Sequence, residues 1–130
     1  MKSTFDLSKE EMKAYGNKII DILVEHFDTL ESKQPVCKAS REKMDSISLQ
    51  EAPDKATPAN EVLDFVMKNV MPYATLTSHP KSYSFVPGPS NYINTLADTL
   101  ATGFNIFSGG WVGSPAAAEL EIVTMNWLLK

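Results

Sequence analysis

The chain has 130 residues, 43% of them apolar and 22% charged, with a formal net charge of −4. These values lie near globular averages and exclude a disordered or low-complexity tether. The mild acidity, with Lys and Arg scattered singly, excludes a nucleic-acid surface and a basic membrane-surface helix.

The amino terminus, MKSTFDLSKEEM, carries no apolar stretch of the kind that directs secretion. No run approaches the roughly 18 apolar residues of a membrane span. The lone Cys37 can form no intrachain disulfide and has no second thiol for a zinc site. A soluble, cytoplasmic protein is the expectation, large enough for one ordinary domain.

The first helix is the clearest element. Ser8 stands as N-cap with Glu11 three positions on, a capping box, and Leu7 and Met12 occupy the positions of a hydrophobic staple. Met12, Tyr15, Ile19, Ile22, Leu23, Phe27 and Leu30 then recur at helical spacing, and Ile20 and Val24 widen the stripe. So broad an apolar surface needs partners on two sides, one of which can be another subunit.

Residues 33–57 are weakly patterned, with Met44, Ile47 and Leu49 as isolated anchors. A loop with one short helix near Ser40–Asp45 is expected. A second long helix follows, with Thr57 as its cap, Pro58 at its first position, Val62, Leu63, Val66 and Val70 on its apolar side, and Pro72 at its end. The connector 73–91 holds Pro80, Pro87 and Pro89. Its piece Tyr83–Val86 alternates as an extended segment does, but the prolines forbid a long strand.

A further helix is expected from about Asn91 to Phe104, with Tyr92, Ile93, Leu96, Ala97, Leu100, Ala101 and Phe104 at helical spacing. After the turn SGGWVGS at 108–114, the last helix starts with Ser114 as N-cap and Pro115 at its first position. It still reads as helix at Lys130, with no Gly cap to close it, and a truncated chain is therefore expected.

His26 sits among apolar residues, and its plain reading is structural. His79, before Pro80 in a loop, is the better functional candidate. Neither has a Cys, His or carboxylate at ligand spacing, so no metal site is expected. No serine sits in a nucleophile elbow, and no triad is supported. The turn Gly109-Gly110-Trp111-Val112-Gly113-Ser114 lacks the lysine of a phosphate loop and reads as a helix connection in which glycine supplies positive φ. Phe85-Val86-Pro87-Gly88-Pro89-Ser90 reads equally as a rigid pocket wall and as a helix entry.

From residue 79 to 127 an ordered series of motifs emerges. It comprises His79-Pro80, the aromatic-to-proline stretch Tyr83 to Pro87, Leu96-Ala97-Asp98, Trp111, Ser114-Pro115, Glu119-Leu120-Glu121 and Trp127-Leu128. This series resembles the pyridoxal-phosphate-dependent decarboxylases of the aromatic-amino-acid and glutamate type. The segment itself is expected to be all-α, with about four helices, within an α/β fold-type-I enzyme.

The resemblance implies a homodimer clasped through amino-terminal helices, with 1–88 as dimerisation arm and 89–130 as the start of the large cofactor-binding domain. It implies a substrate wall of Thr77, His79, Phe85, Val86, Pro87 and Gly88, and a part at Phe107, Gly109 and Trp111 that reaches the neighbouring active site. The cofactor is pyridoxal 5′-phosphate, an electron sink for loss of carbon dioxide from an amino acid, with aromatic amino acids the first expectation. The family's Schiff-base lysine, its aspartate for the pyridinium nitrogen and its stacking histidine all fall beyond the matching region. No catalytic residue is therefore assigned here, and this chain alone is expected neither to hold the cofactor nor to catalyse. The alternative is a stand-alone helical interaction module whose first helix binds a partner.

Overall fold

The computed structural model describes residues 6–48, 52, 54–84, 86 and 88–129. Leu49, Phe85 and Pro87, singled out above, lie outside them, as does Lys130. The all-α expectation holds: the described residues form five helices and no strand. These are α1 (Lys9–Asp28), α2 (Arg41–Ser48), α3 (Ala59–Asn69), α4 (Tyr92–Gly103) and α5 (Pro115–Leu128), with single 3₁₀ turns at Leu30–Ser32 and Met71–Tyr73. None is long and apolar enough to cross a membrane. The chain divides into two compact units, Met1–Asn91 and Tyr92–Lys130.

In the first unit the capping box at α1 forms as its residues dictate. The Glu11 amide donates to Ser8 Oγ at 3.2 Å, and the Ser8 amide donates to Glu11 Oε2 at 2.7 Å. Two of the orphan donors at the helix start are thereby satisfied. The helix stops at Asp28, with the Thr29 amide bonding back to the Glu25 carbonyl, so Leu30 falls in the 3₁₀ turn and not on the helix face.

The short expected helix is α2, and Ser40 caps it by accepting the Lys43 amide at 3.2 Å. Glu42 lies fully exposed in its first turn. Its own backbone N–H, and then the Ser40 hydroxyl, hold its carboxyl below the usual range.

The cap expected at Thr57 is corrected. Pro58 itself is the N-cap residue, with extended backbone (φ −55°, ψ 136°), and its carbonyl accepts the Glu61 and Val62 amides. The proline ring fixes φ but leaves ψ free to stay extended, so the helix begins one residue later and no side chain caps it. Pro72 does not end α3 directly either. The helix stops at Asn69, and Pro72 sits inside the following 3₁₀ turn, where its missing N–H is no loss.

Polar ties hold these pieces together. Lys18 on α1 pairs with Asp64 on α3 at 2.9 Å, and Lys43 on α2 donates to Asn69 Oδ1 at 3.2 Å. The Leu76 amide donates to the Pro35 carbonyl at 2.9 Å, drawing the two connectors together. The apolar core is thin. Among the described residues only Leu30 is a buried hydrophobic, at 8% exposure, while Met12, Ile19, Val24, Val62, Phe65 and Val70 stay open to solvent.

In the second unit, α4 ends where the Ile106 amide bonds to the Ala101 carbonyl and Asn105 takes φ 49°, the left-handed conformation that asparagine tolerates. The turn after it corrects another expectation: none of its glycines has positive φ. Two of them stand close to the Phe107 ring instead. A Cβ on Gly109 would lie 2.8 Å from Phe107 Cζ, and one on Gly113 would lie 3.2 Å from Phe107 Cδ1. The Phe107 ring thus lies against the turn. Ser114 does precede α5 with Pro115 at its start, but its side chain makes no capping bond. Leu120, Ile122, Met125, Trp127 and Leu128 of α5 are all exposed.

Candidate functional site

The connector after α3 makes a tight turn around His79. The His79 amide donates to the Leu76 carbonyl at 3.0 Å, and the Ser82 amide donates to the His79 carbonyl at 2.9 Å. The imidazole lies inside this turn, 4% exposed, and its Nδ1 accepts the Lys81 amide at 2.9 Å. An Nδ1 that accepts puts the proton of the neutral ring on Nε2. That Nε2 is buried and has no hydrogen-bond partner.

Thr77 is half-buried beside it, and its amide donates to the Thr75 carbonyl. Val86 is fully exposed, and Gly88 has open space around it. Thr77 and His79 are therefore adjacent at the base of one loop, with Val86 and Gly88 farther along it. Phe85 and Pro87 belong to the same stretch of sequence but lie outside the described residues.

A cleft of about 800 Å³ opens elsewhere in the first unit, lined by Lys18, Glu25, His26, Lys33, Cys37, Met67, Met71 and Leu76, among others. Sequence reading missed it because its walls come from three separated stretches. The only local signal is the shared helical face of Lys18, Ile22, Glu25 and His26.

Burial, and then the Lys33 ammonium, hold the His26 imidazole below its ordinary value of 6.5. The fold thus prefers neutral His26, and its contribution to stability is full above pH 6.5. As the pH falls below that, the unfolded chain takes up its proton first, and the contribution is lost down through the folded-state value. Urea midpoints measured between about pH 7 and about pH 5 are expected to fall further for the wild type than for His26→Gln. Equal pH dependence in the two proteins would remove this account.

The cleft does not fit pyridoxal phosphate. Its two lysines are already engaged, Lys18 with Asp64 and Lys33 with the His26 carbonyl at 3.4 Å, and Asp21 and Glu25 put negative charge on the same wall. A phosphate-bearing aldehyde needs a free amine and a positive cup of N–H donors. Among the described residues no His, Cys, Asp and Glu group is placed to hold a metal ion.

In the second unit an open recess of about 400 Å³ runs between the glycine turn and α5, lined by Gly109, Gly110, Trp111, Ala118, Glu121, Ile122 and Met125. Gly109 and Trp111 therefore share one recess, while the Phe107 ring lies close to Gly109 and Gly113 and does not line it. Both Phe107 and Trp111 are more than half exposed.

These helices and this proline-rich loop match one family. The pyridoxal-dependent decarboxylase conserved domain matches residues 41–130, and the chain belongs to that family. Among curated relatives, an aromatic-L-amino-acid decarboxylase of Bacillus atrophaeus is 36% identical over 98% of this chain and 27% of its own length. A phenylacetaldehyde synthase of Arabidopsis thaliana is 27% identical over 95% of this chain and 25% of its own. The crystal structure of Catharanthus roseus tryptophan decarboxylase in complex with L-tryptophan superposes with TM-score 0.79 at 25% identity, covering 94% of this chain and 26% of that one. The chain spans about a quarter of the length of the relatives it matches.

Proposed function

We propose that this chain is the amino-terminal part of a pyridoxal-phosphate-dependent carboxy-lyase. The complete enzyme removes carbon dioxide from an aromatic L-amino acid and leaves the amine. The observation that carries this reading is the family match over residues 41–130 together with the alignment of 98% of this chain to an aromatic-L-amino-acid decarboxylase.

In this reading Thr77, His79, Phe85, Val86, Pro87 and Gly88 belong to the substrate wall. Phe107, Gly109 and Trp111 reach the neighbouring active site of a cytoplasmic homodimer joined through the amino-terminal helices. Residues 1–88 act as the dimerisation arm, and 89–130 open the large domain. The exposed apolar side chains of α4 and α5, Ile93, Leu100, Leu120 and Ile122 among them, support the reading that 89–130 packs against further protein. The cofactor, held by residues outside this chain, supplies the electron sink. This segment contributes shape: a buried histidine turn that carries the wall, and a glycine turn that admits the Phe107 ring.

The test is to express the complete protein with pyridoxal phosphate and offer it tyrosine, tryptophan, phenylalanine and glutamate. Amine and carbon dioxide are expected in equal amounts from the aromatic acids, and neither from the 130-residue chain alone. Aldehyde in place of amine would replace the reaction with that of the synthase relatives. Absence of carbon dioxide from every amino acid would end the reading.

A further inference from the structure

The loop that follows His79 is closed by a single hydroxyl. The Ser90 amide donates to Ser78 Oγ at 3.0 Å. Ser78 Oγ also lies 3.2 Å from the Ser90 carbonyl and 3.2 Å from Ser90 Oγ. A serine hydroxyl has one proton and two acceptor sites. Ser78 therefore accepts the Ser90 amide and donates to either the carbonyl or the hydroxyl of the same residue. Both backbone groups of Ser90 are within its reach.

The two ends of the loop differ. At the first end, His79 is buried and bonded to the Lys81 amide, so the 79–82 turn is anchored by packing as well as by hydrogen bonds. At the other end, Val86, Gly88, Pro89 and Ser90 are all exposed, and the clasp to Ser78 ties them back. Ser78 also stands between Thr77 and His79 in the chain. One side chain thus couples the anchored base of the loop to its exposed return.

We propose that Ser78 is a positioning residue. Its hydroxyl ties Ser90 back to the base of the loop beside His79 and sets where Val86 and Gly88 of the substrate wall stand, an inference that rests on the decarboxylase reading above. Opening the clasp lowers the fraction of molecules whose wall is in place, and apparent affinity falls by that same fraction. Once substrate is seated, the reacting groups lie outside this chain and work at the same rate. The effect therefore appears in KM and not in kcat.

The experiment uses the complete protein loaded with pyridoxal phosphate. It measures steady-state kinetics with an aromatic L-amino acid, thermal melting, and amide exchange of the 79–90 peptide. For Ser78→Ala we expect KM to rise about five- to tenfold, the worth of one or two hydrogen bonds, with kcat within about twofold. Exchange in the 79–90 peptide should quicken while that of α1 stays the same. Ser78→Thr keeps the oxygen and is expected to restore both readings. Ser90→Ala keeps the backbone groups of the clasp and should raise KM less than Ser78→Ala does.

Unchanged KM and exchange in Ser78→Ala would overturn the proposal. So would a joint fall of kcat and melting temperature that Ser78→Thr does not rescue, or a Ser90→Ala effect as large as that of Ser78→Ala. The two possible failures are separable. A wild type that releases no carbon dioxide removes the decarboxylase reading and this inference with it. An active wild type with an indifferent Ser78→Ala removes this inference alone.

Discussion

Replacing Leu30 by alanine is expected to destabilise the first unit by about 2–3 kcal/mol, the lower part of the usual range for a buried leucine. Leu30 is the one described hydrophobic side chain that water scarcely reaches. It is placed there by the end of α1, where the Thr29 amide turns back to Glu25 and the chain tightens into a 3₁₀ turn. Truncation removes its transfer free energy and leaves a gap. Neighbouring apolar side chains are only partly enclosed, so they can settle into that gap, which keeps the cost at the lower end. The same change at Leu100 of α4, 63% exposed, should cost less than about 0.5 kcal/mol in the 130-residue chain. Urea denaturation of the two variants beside the wild type checks both figures. Equal losses at the two sites would mean that burial in this unit is not organised around Leu30.

The contrast between those two leucines also explains how much of the fold could be read in the sequence. Helix periodicity and caps are local, so α1 with its Ser8–Glu11 box was legible, as were α4 and the proline-initiated α5. Where a residue's role depends on a neighbour in space, the reading slipped. Positive φ is the local expectation for the glycines of the 109–113 turn, yet none adopts it, and what marks Gly109 and Gly113 is the Phe107 ring close by. Pro58 suited a first helical position, but its free ψ left it extended as the cap.

The cleft beside His26 left almost no trace in the sequence, because residues 18–26, 33–37 and 67–76 are brought together only by packing. His79 was found as a loop histidine before a proline, but nothing in its neighbours signalled a buried ring that accepts the Lys81 amide. The family motifs were legible because they run in order along the chain. They run across both compact units, Met1–Asn91 and Tyr92–Lys130.

Replacement of His79 separates three contributions that the wild type combines. His79→Ala is expected to cost about 2–3 kcal/mol, because it opens a gap and also leaves the part-buried Lys81 amide without its acceptor. In His79→Asn the side-chain oxygen can stand where Nδ1 stands, so the bond to Lys81 survives and about 1 kcal/mol of the loss should return. In His79→Phe the ring volume is kept and both nitrogens go. The lost acceptor then works against the protein, while removal of the unpartnered Nε2 donor works for it. The two terms are of similar size, and His79→Phe should fall between wild type and His79→Ala, read as the melting temperature of the first unit. A His79→Asn protein no more stable than His79→Ala would show that the Lys81 bond contributes nothing. The buried imidazole would then be held by shape alone.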